Sequence, residues 1–170
     1  MAVKKDEHGH IVKRKARVVA QGFSQRPGVD YDDTYSPVIR YDSLRLIIFI
    51  AIVKGWLLRQ IDFDAAYLNG LLQHVIYARC PPGVGRPGQV LRLFKALYGL
   101  KQSGREWYSV LSTWLTGNGF TQAAFDPCVF ISDNLILGVY VDDLLLAGTR
   151  DAIAKFLDLT RERFRFKDLS

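Results

Sequence analysis

Late in the chain the sequence reads "LILGVYVDDLLLAG" (Leu135–Gly148), and no other stretch restricts the fold as tightly. Asp142 and Asp143 stand side by side between two apolar runs. At about 5 Å and an effective dielectric near 20, two carboxylates repel by roughly 3 kcal/mol before desolvation is counted. The runs themselves read as two short strands joined by a turn at Asp142-Asp143. Asp-Asp suits such a turn poorly, because two-residue hairpin connections favour Asn-Gly or Asp-Gly for their positive φ. Either the pair is an incidental surface turn, or a requirement other than turn chemistry placed it there.

A third carboxylate weighs on that choice. Asp62 ends another apolar segment, "WLLRQIDF" (Trp56–Phe63). If the two segments are neighbours in one sheet, three carboxylates meet at one spot. Such a cluster is unfavourable as bare anions and suited to hard divalent cations, which take oxygen ligands. Two such ions bridged by carboxylates stabilise the attacking and leaving oxygens of an in-line phosphoryl displacement. Spacing alone does not establish that the segments touch.

The rest of the chain supplies a frame for that sheet. Residues 1–12 read as a polar lead-in, and "KARVVAQGF" (Lys15–Phe23) as a short strand. "DSLRLIIFIAIVKG" reads as a buried helix with Asp42 or Ser43 as N-cap and Gly55 as stop. "VIYARC" and "QVLRLF" have strand character, and "REWYSVLSTWLTGNGF" has helical spacing with Gly117 as its stop. "PCVFISDNLILGVYVDDLLLAG" reads as three strands joined by hairpins, the first turn at Ser132-Asp133-Asn134. "DAIAKFLDLTRERFRF" closes as an amphipathic helix. Hairpin-joined strands beside helices predict an α+β architecture with a mostly antiparallel sheet, not a doubly wound one.

Composition enters at two points. The net charge of +6 is concentrated at the start, where residues 1–26 carry seven Lys and Arg against Asp6 and Glu7. Such an end is either a polyanion-binding element, with nucleic acid as the usual partner, or a solvated arm. No apolar run reaches the roughly 18 residues a spanning helix needs, and the N-terminus has no apolar signal core, so neither a membrane nor secretion is expected. Cys80 and Cys128 are unclustered, which predicts two plain thiols and no zinc site.

Four motifs in order, "KARVVAQGFSQRPGVDYDDTYSPV", "RQIDFDAAYLNG", "LYGLKQSGREWY" and "YVDDLLLAG", make the chain resemble the reverse transcriptase domain of copia-type long-terminal-repeat retrotransposons. The resemblance runs from about Lys13 to Leu169 and implies the fingers and palm of a right-hand polymerase over 13–170. It implies RNA-directed DNA polymerase activity: a primer 3′-hydroxyl attacks the α-phosphorus of a deoxynucleoside triphosphate (dNTP).

By the same resemblance Asp62, Asp142 and Asp143 are the catalytic carboxylates. With the main-chain carbonyl of Phe63 they are expected to hold two magnesium ions (Mg2+), or manganese in their place. Phe63 and Tyr67 are expected beside the dNTP, with the Tyr67 ring excluding a 2′-hydroxyl. Lys15 and Arg17, with Arg17 preferred, grip the triphosphate, and Gln102 bonds the nucleotide or template. Gly99 admits nucleic acid close to the backbone, and Tyr140 touches template or primer. Gly138 serves either primer approach or packing. Lys167 is a weak candidate for a proton donor to pyrophosphate, and Asp64 is left outside the catalytic set.

Expected partners are an RNA template, a DNA primer and dNTPs, together with the thumb, ribonuclease H and integrase of a Pol polyprotein. The expected setting is intracellular, in a cytoplasmic virus-like particle or the nucleus. The sequence stops at "FKDLS", so the thumb is expected to be absent. Two other readings stay open. One is a truncated, inactive nucleic-acid-binding remnant. The other is a different palm-type phosphotransferase such as a nucleotide cyclase, which leaves "KARVVAQGF" and "LYGLKQSG" unexplained.

Overall fold

Alternation in "RQIDF" decides the centre of the molecule. In the computed structural model, which describes residues 2–81, 83–86 and 88–169 without the side chains of Ala2, Lys4, Lys13 and Lys15, this segment lies in β3 (Leu57–Phe63). Ile61 and Phe63 are buried while Gln60 is exposed and Asp62 half-buried, the period-2 pattern of a strand. Strand β9 (Asp143–Gly148) pairs antiparallel with β3 and sets Leu144 opposite Ile61. Strand β8 (Leu135–Tyr140) follows on the far side of β9, with Val139 opposite Leu144 and Leu137 opposite Leu146.

These apolar residues share one face. Helices α2 (Ser103–Gly117) and α3 (Arg150–Arg163) bury it through Trp107, Leu111, Leu115 and Phe156, with Phe164 just after α3. Phe63 meets Trp107 edge-on at 5.1 Å and Phe164 at 5.5 Å, arrangements aromatic quadrupoles favour.

The opposite face of β8 is covered by helix α1 (Tyr41–Lys54) and the residue leading into it. A Cβ on Gly138 would lie 2.7 Å from Ile39 Cδ1 and 3.1 Å from Ile47 Cδ1, so Gly138 is a packing glycine. Cover on both faces explains why β8 is buried from Leu135 to Val139 and reads as an unbroken apolar run. The full sheet has six strands in the order β10-β3-β9-β8-β7-β6, with β6 (Thr121–Gln122), β7 (Val129–Ser132) and β10 (Phe166–Asp168) completing it, all antiparallel. Two ribbons stand apart from it, β1 (Ala2–Lys5) with β2 (Ile11–Lys15), and β4 (Leu71–Arg79) with β5 (Val90–Lys95). The architecture is therefore α+β with antiparallel sheets. Cys128 is buried, its thiol pushed up to about 12 by burial, and Cys80 is half-buried; both are free.

Several expectations need correction. Residues 1–12, read as a lead-in, contain β1, because the start of the chain pairs with Ile11–Lys15. The expected strand in "KARVVAQGF" stops at Lys15. Its continuation leaves the ladder, the Ala20 N–H donates to Tyr98 O at 2.8 Å, and Gly22–Ser24 form a 3₁₀ turn. Helix α3 ends at Arg163, not Phe166, because Phe166 is taken into β10 opposite Phe63. Helix α1 starts at Tyr41 with Arg40 as a cap residue that uses no side chain. Its cap is tertiary. The buried Asp126 carboxylate accepts from the Arg40 N–H at 2.9 Å, from the Cys128 N–H at 2.9 Å and from the Ser43 hydroxyl.

Candidate active site

The hairpin register builds the site. Tyr140 pairs with Asp143, which places Val141 and Asp142 in the two-residue turn and Asp143 inside β9. The turn expected at Asp142-Asp143 is thus one residue earlier. Val141 carries the positive φ, 54°, unusual for a β-branched residue. Two contacts hold it there. The Trp107 indole Nε1–H donates to the Val141 carbonyl at 2.7 Å, and the Phe63 N–H donates to the Asp142 carbonyl at 2.8 Å.

Asp143 is also in direct register with Asp62, and Asp62 with Lys167 of β10. Residues directly opposite in antiparallel strands point to the same side. Lys167, Asp62, Asp143 and Tyr140 therefore form one row across four strands, on the face opposite Ile61 and Leu144. Asp142 stands at the end of that row, on the turn. The three carboxylates expected to meet do belong to adjoining backbone positions.

The Asp143 side chain has a local partner. Gln60 Nε2 donates to Asp143 Oδ1 at 3.0 Å. Lys167 forms an ion pair with Asp64, and that hydrogen bond, with the nearby Asp62 charge, raises the lysine's pKa. Asp64 is engaged by this pair, and its N–H donates to Arg165 O at 2.9 Å.

Oxygen donors of this kind fit a hard divalent cation. Among the described residues, though, no three Asp, Glu, His or Cys side chains stand close enough as they lie to hold a metal ion. Phe63 as a whole is buried, its ring packed on Trp107 and Phe164.

A second surface adjoins Asp142. Ala65, at φ 52°, turns the chain into the 3₁₀ turn Ala66–Asn69 and presents Tyr67 half-buried. Burial first, then Tyr98 and Asp142, push the Tyr67 hydroxyl up from its ordinary pKa. The Tyr67 and Tyr98 rings lie 5.3 Å apart, and the Arg17 guanidinium stands 5.4 Å from the centre of the Tyr98 ring. Tyr67, Tyr98 and Arg17 thus follow one another in contact. The Lys15 side chain lies outside the described residues. Tyr140 is 56 % exposed, open to a macromolecular partner.

One expected contact falls elsewhere. Gln102 is 3 % exposed, and both ends of its amide are used inside the protein. Its Oε1 accepts from Gln25 Nε2 at 3.0 Å and its Nε2 donates to Asp30 O at 3.0 Å, so it ties the loop at 25–30 to the start of α2 and does not face a nucleotide. Gly99, at φ 94°, has its space filled by the protein itself. A Cβ there would sit 2.2 Å from Ala20 O and 2.6 Å from Val19 Cγ1. The close approach that its missing Cβ admits is that of Val19 and Ala20. Sequence reasoning missed Tyr98 and Trp107; "LYGLKQSGREWY" holds both, but nothing in its spacing shows which residues turn outward.

A family model described as reverse transcriptase (RNA-dependent DNA polymerase) matches residues 1–170. The chain belongs to the reverse transcriptase family. This reverse transcriptase domain is 40% identical over 168 residues to the retrovirus-related Pol polyprotein from transposon RE2 of Arabidopsis thaliana, covering 94% of the chain and 12% of that protein. It is 39% identical to the corresponding polyprotein from transposon RE1 of the same plant, over 97% of the chain and 12% of the relative. With the polyprotein from transposon TNT 1-94 of Nicotiana tabacum it shares 37% identity, over 98% of the chain and 13% of the relative. These are copia-type elements, as the motifs implied. The domain spans about one eighth of the length of these relatives. No solved structure matches it. No helix among the described residues is long and apolar enough to cross a membrane.

Proposed function

We propose that this domain carries the catalytic carboxylates of an RNA-directed DNA polymerase and works within a longer Pol polypeptide, with RNA template, DNA primer and dNTPs as substrates. One observation carries the reading: Asp62 lies in register opposite Asp143, while the Asp142 backbone is hydrogen-bonded to Phe63. In this reading the six-stranded sheet with its three helices is the palm, and the β1–β2 and β4–β5 ribbons belong to the fingers.

Asp62, Asp142, Asp143 and the Phe63 carbonyl would hold two magnesium ions. Bound there, the ions supply charge stabilisation to the attacking 3′-oxygen and the departing pyrophosphate. The remaining work falls to the chain. Arg17 offers a planar fork to the triphosphate. Tyr67 limits the room beside the sugar, since a packed ring does not yield to an extra oxygen. Tyr140, exposed beside Asp143, supports the primer end.

The test is primer extension on an RNA template with magnesium, using the domain within its longer polypeptide. Asp142→Asn and Asp62→Asn should each abolish synthesis while leaving binding of the primer–template within about twofold. Equal synthesis by wild type and Asp142→Asn would refute the assignment. Binding without synthesis in the wild type would favour a non-catalytic remnant.

A further inference from the structure

Tyr98 has no role in the four motifs as read, yet it is the hinge between two parts of the proposed nucleotide site. One face of its ring looks toward the Arg17 guanidinium at 5.4 Å, and the Tyr67 ring lies tilted at 44° to it with the ring centres 5.3 Å apart. The residue is 47 % exposed, and among the described residues its hydroxyl makes no hydrogen bond.

Its backbone, by contrast, is fixed from several sides. Tyr98 O accepts from the Ala20 N–H at 2.8 Å. Ser103 Oγ donates to Leu97 O at 2.6 Å, closing the turn from the α2 side. Gly99 and Gly22 interlock so closely that a Cβ on Gly22 would stand 1.9 Å from Gly99 O. A half-open aromatic ring on a locked backbone is a reference surface for its neighbours.

We infer that Tyr98 is a positioning residue that registers the triphosphate-gripping Arg17 against the sugar-facing Tyr67. This rests on the polymerase reading above. The cation–π contact fixes where the guanidinium waits before an anion arrives. The ring contact stops Tyr67 from swinging out when a ribose presses on it. One side chain therefore couples phosphate grip and sugar selection, and its removal should loosen both together.

The experiment compares Tyr98→Ala and Tyr98→Phe with wild type in the longer polypeptide, using dATP and ATP as competing substrates on an RNA-templated primer. Tyr98→Ala should raise KM for dATP by about 5-fold through the lost cation–π contact, with kcat within about twofold. It should also lower the preference for dATP over ATP by roughly 10-fold, the scale on which pocket fit discriminates small groups. Tyr98→Phe keeps the ring and should restore both values. A merely structural role would lower the use of both nucleotides alike and leave their ratio unmoved, and that result overturns the inference. So does a Tyr98→Phe variant as defective as Tyr98→Ala. If the wild type extends no primer, the polymerase reading falls and takes this inference with it; unchanged selectivity in an active Tyr98→Ala overturns the inference alone.

Discussion

Val141 holds a φ of 54° between Tyr140 and the two aspartates, with its carbonyl fixed by the Trp107 indole. A β-branched residue in that region stores on the order of 1–3 kcal/mol. Glycine there would release the strain and give back roughly 0.5–1 kcal/mol to its greater unfolded freedom. Val141→Gly should therefore stabilise the domain by about 1 kcal/mol, read from its urea midpoint. A less stable variant would show that the valine side chain, not the turn geometry, matters most. The strain was partly legible in the sequence. "YVDD" plainly lacked a good turn residue, but the side chain that enforces the turn comes from α2, and nothing local names Trp107. Gln102 teaches the converse. Its neighbours resembled a nucleotide-contacting motif, and only packing shows that both ends of its amide are spent on Gln25 and Asp30.

At the scale of elements, the start of α1 depends on a carboxylate 86 residues away. Burial alone would push the Asp126 carboxyl up. Hydrogen bonds from the Ser43 hydroxyl and the Arg40 and Cys128 N–H groups outweigh it and hold the pKa below its ordinary value. A folded-state value below the unfolded one near 3.9 gives stability that is complete above about pH 4 and is lost as pH falls through the folded value. Asp126→Asn should cost about 3 kcal/mol at pH 7 by leaving buried donors poorly matched. It should also flatten the loss of stability as pH falls below about 4, followed by urea unfolding across that range. A variant whose acid sensitivity matches wild type would assign that sensitivity to other groups. The helix itself was readable from its apolar spacing and Gly55, which caps it at φ 63°, but the expected burial was wrong: only Ser43, Ile47 and Ala51 are buried, and Ile48 and Ile52 of the expected inner face are exposed. The cap was not readable, because Asp42 and Ser43 fit the local rule equally well while the real acceptor arrives through the fold. Likewise β10 escaped notice. Three residues after a helix carry no periodicity, and only β3 makes them a strand.

For the whole molecule, the antiparallel α+β plan followed from hairpin-joined strands, and the convergence of Asp62 with Asp143 followed from family motifs and not from spacing. Side-chain placement on the exposed sheet face did not follow, since solvated carboxylates and lysines choose partners such as Gln60 and Asp64 that leave no trace in the sequence. The charge distribution makes one molecular prediction. If basic side chains such as Arg14, Arg17 and Lys101 neutralise about three phosphates, affinity for single-stranded RNA should fall roughly 20-fold between 50 and 200 mM salt. Fluorescence anisotropy titrations would measure it, and a flat salt response would remove nucleic acid as the partner of this surface. The outward side of α1 has a consequence of another kind. Phe49, Ile52 and Val53 are 62%, 72% and 68% exposed on the helix whose inner side packs the sheet. Water is a poor neighbour for so much hydrocarbon in one place. Concentrated solutions of the domain should grow cloudy as the helices find one another, and light scattering should clear when Ile52→Glu puts a charge in the middle of the stripe.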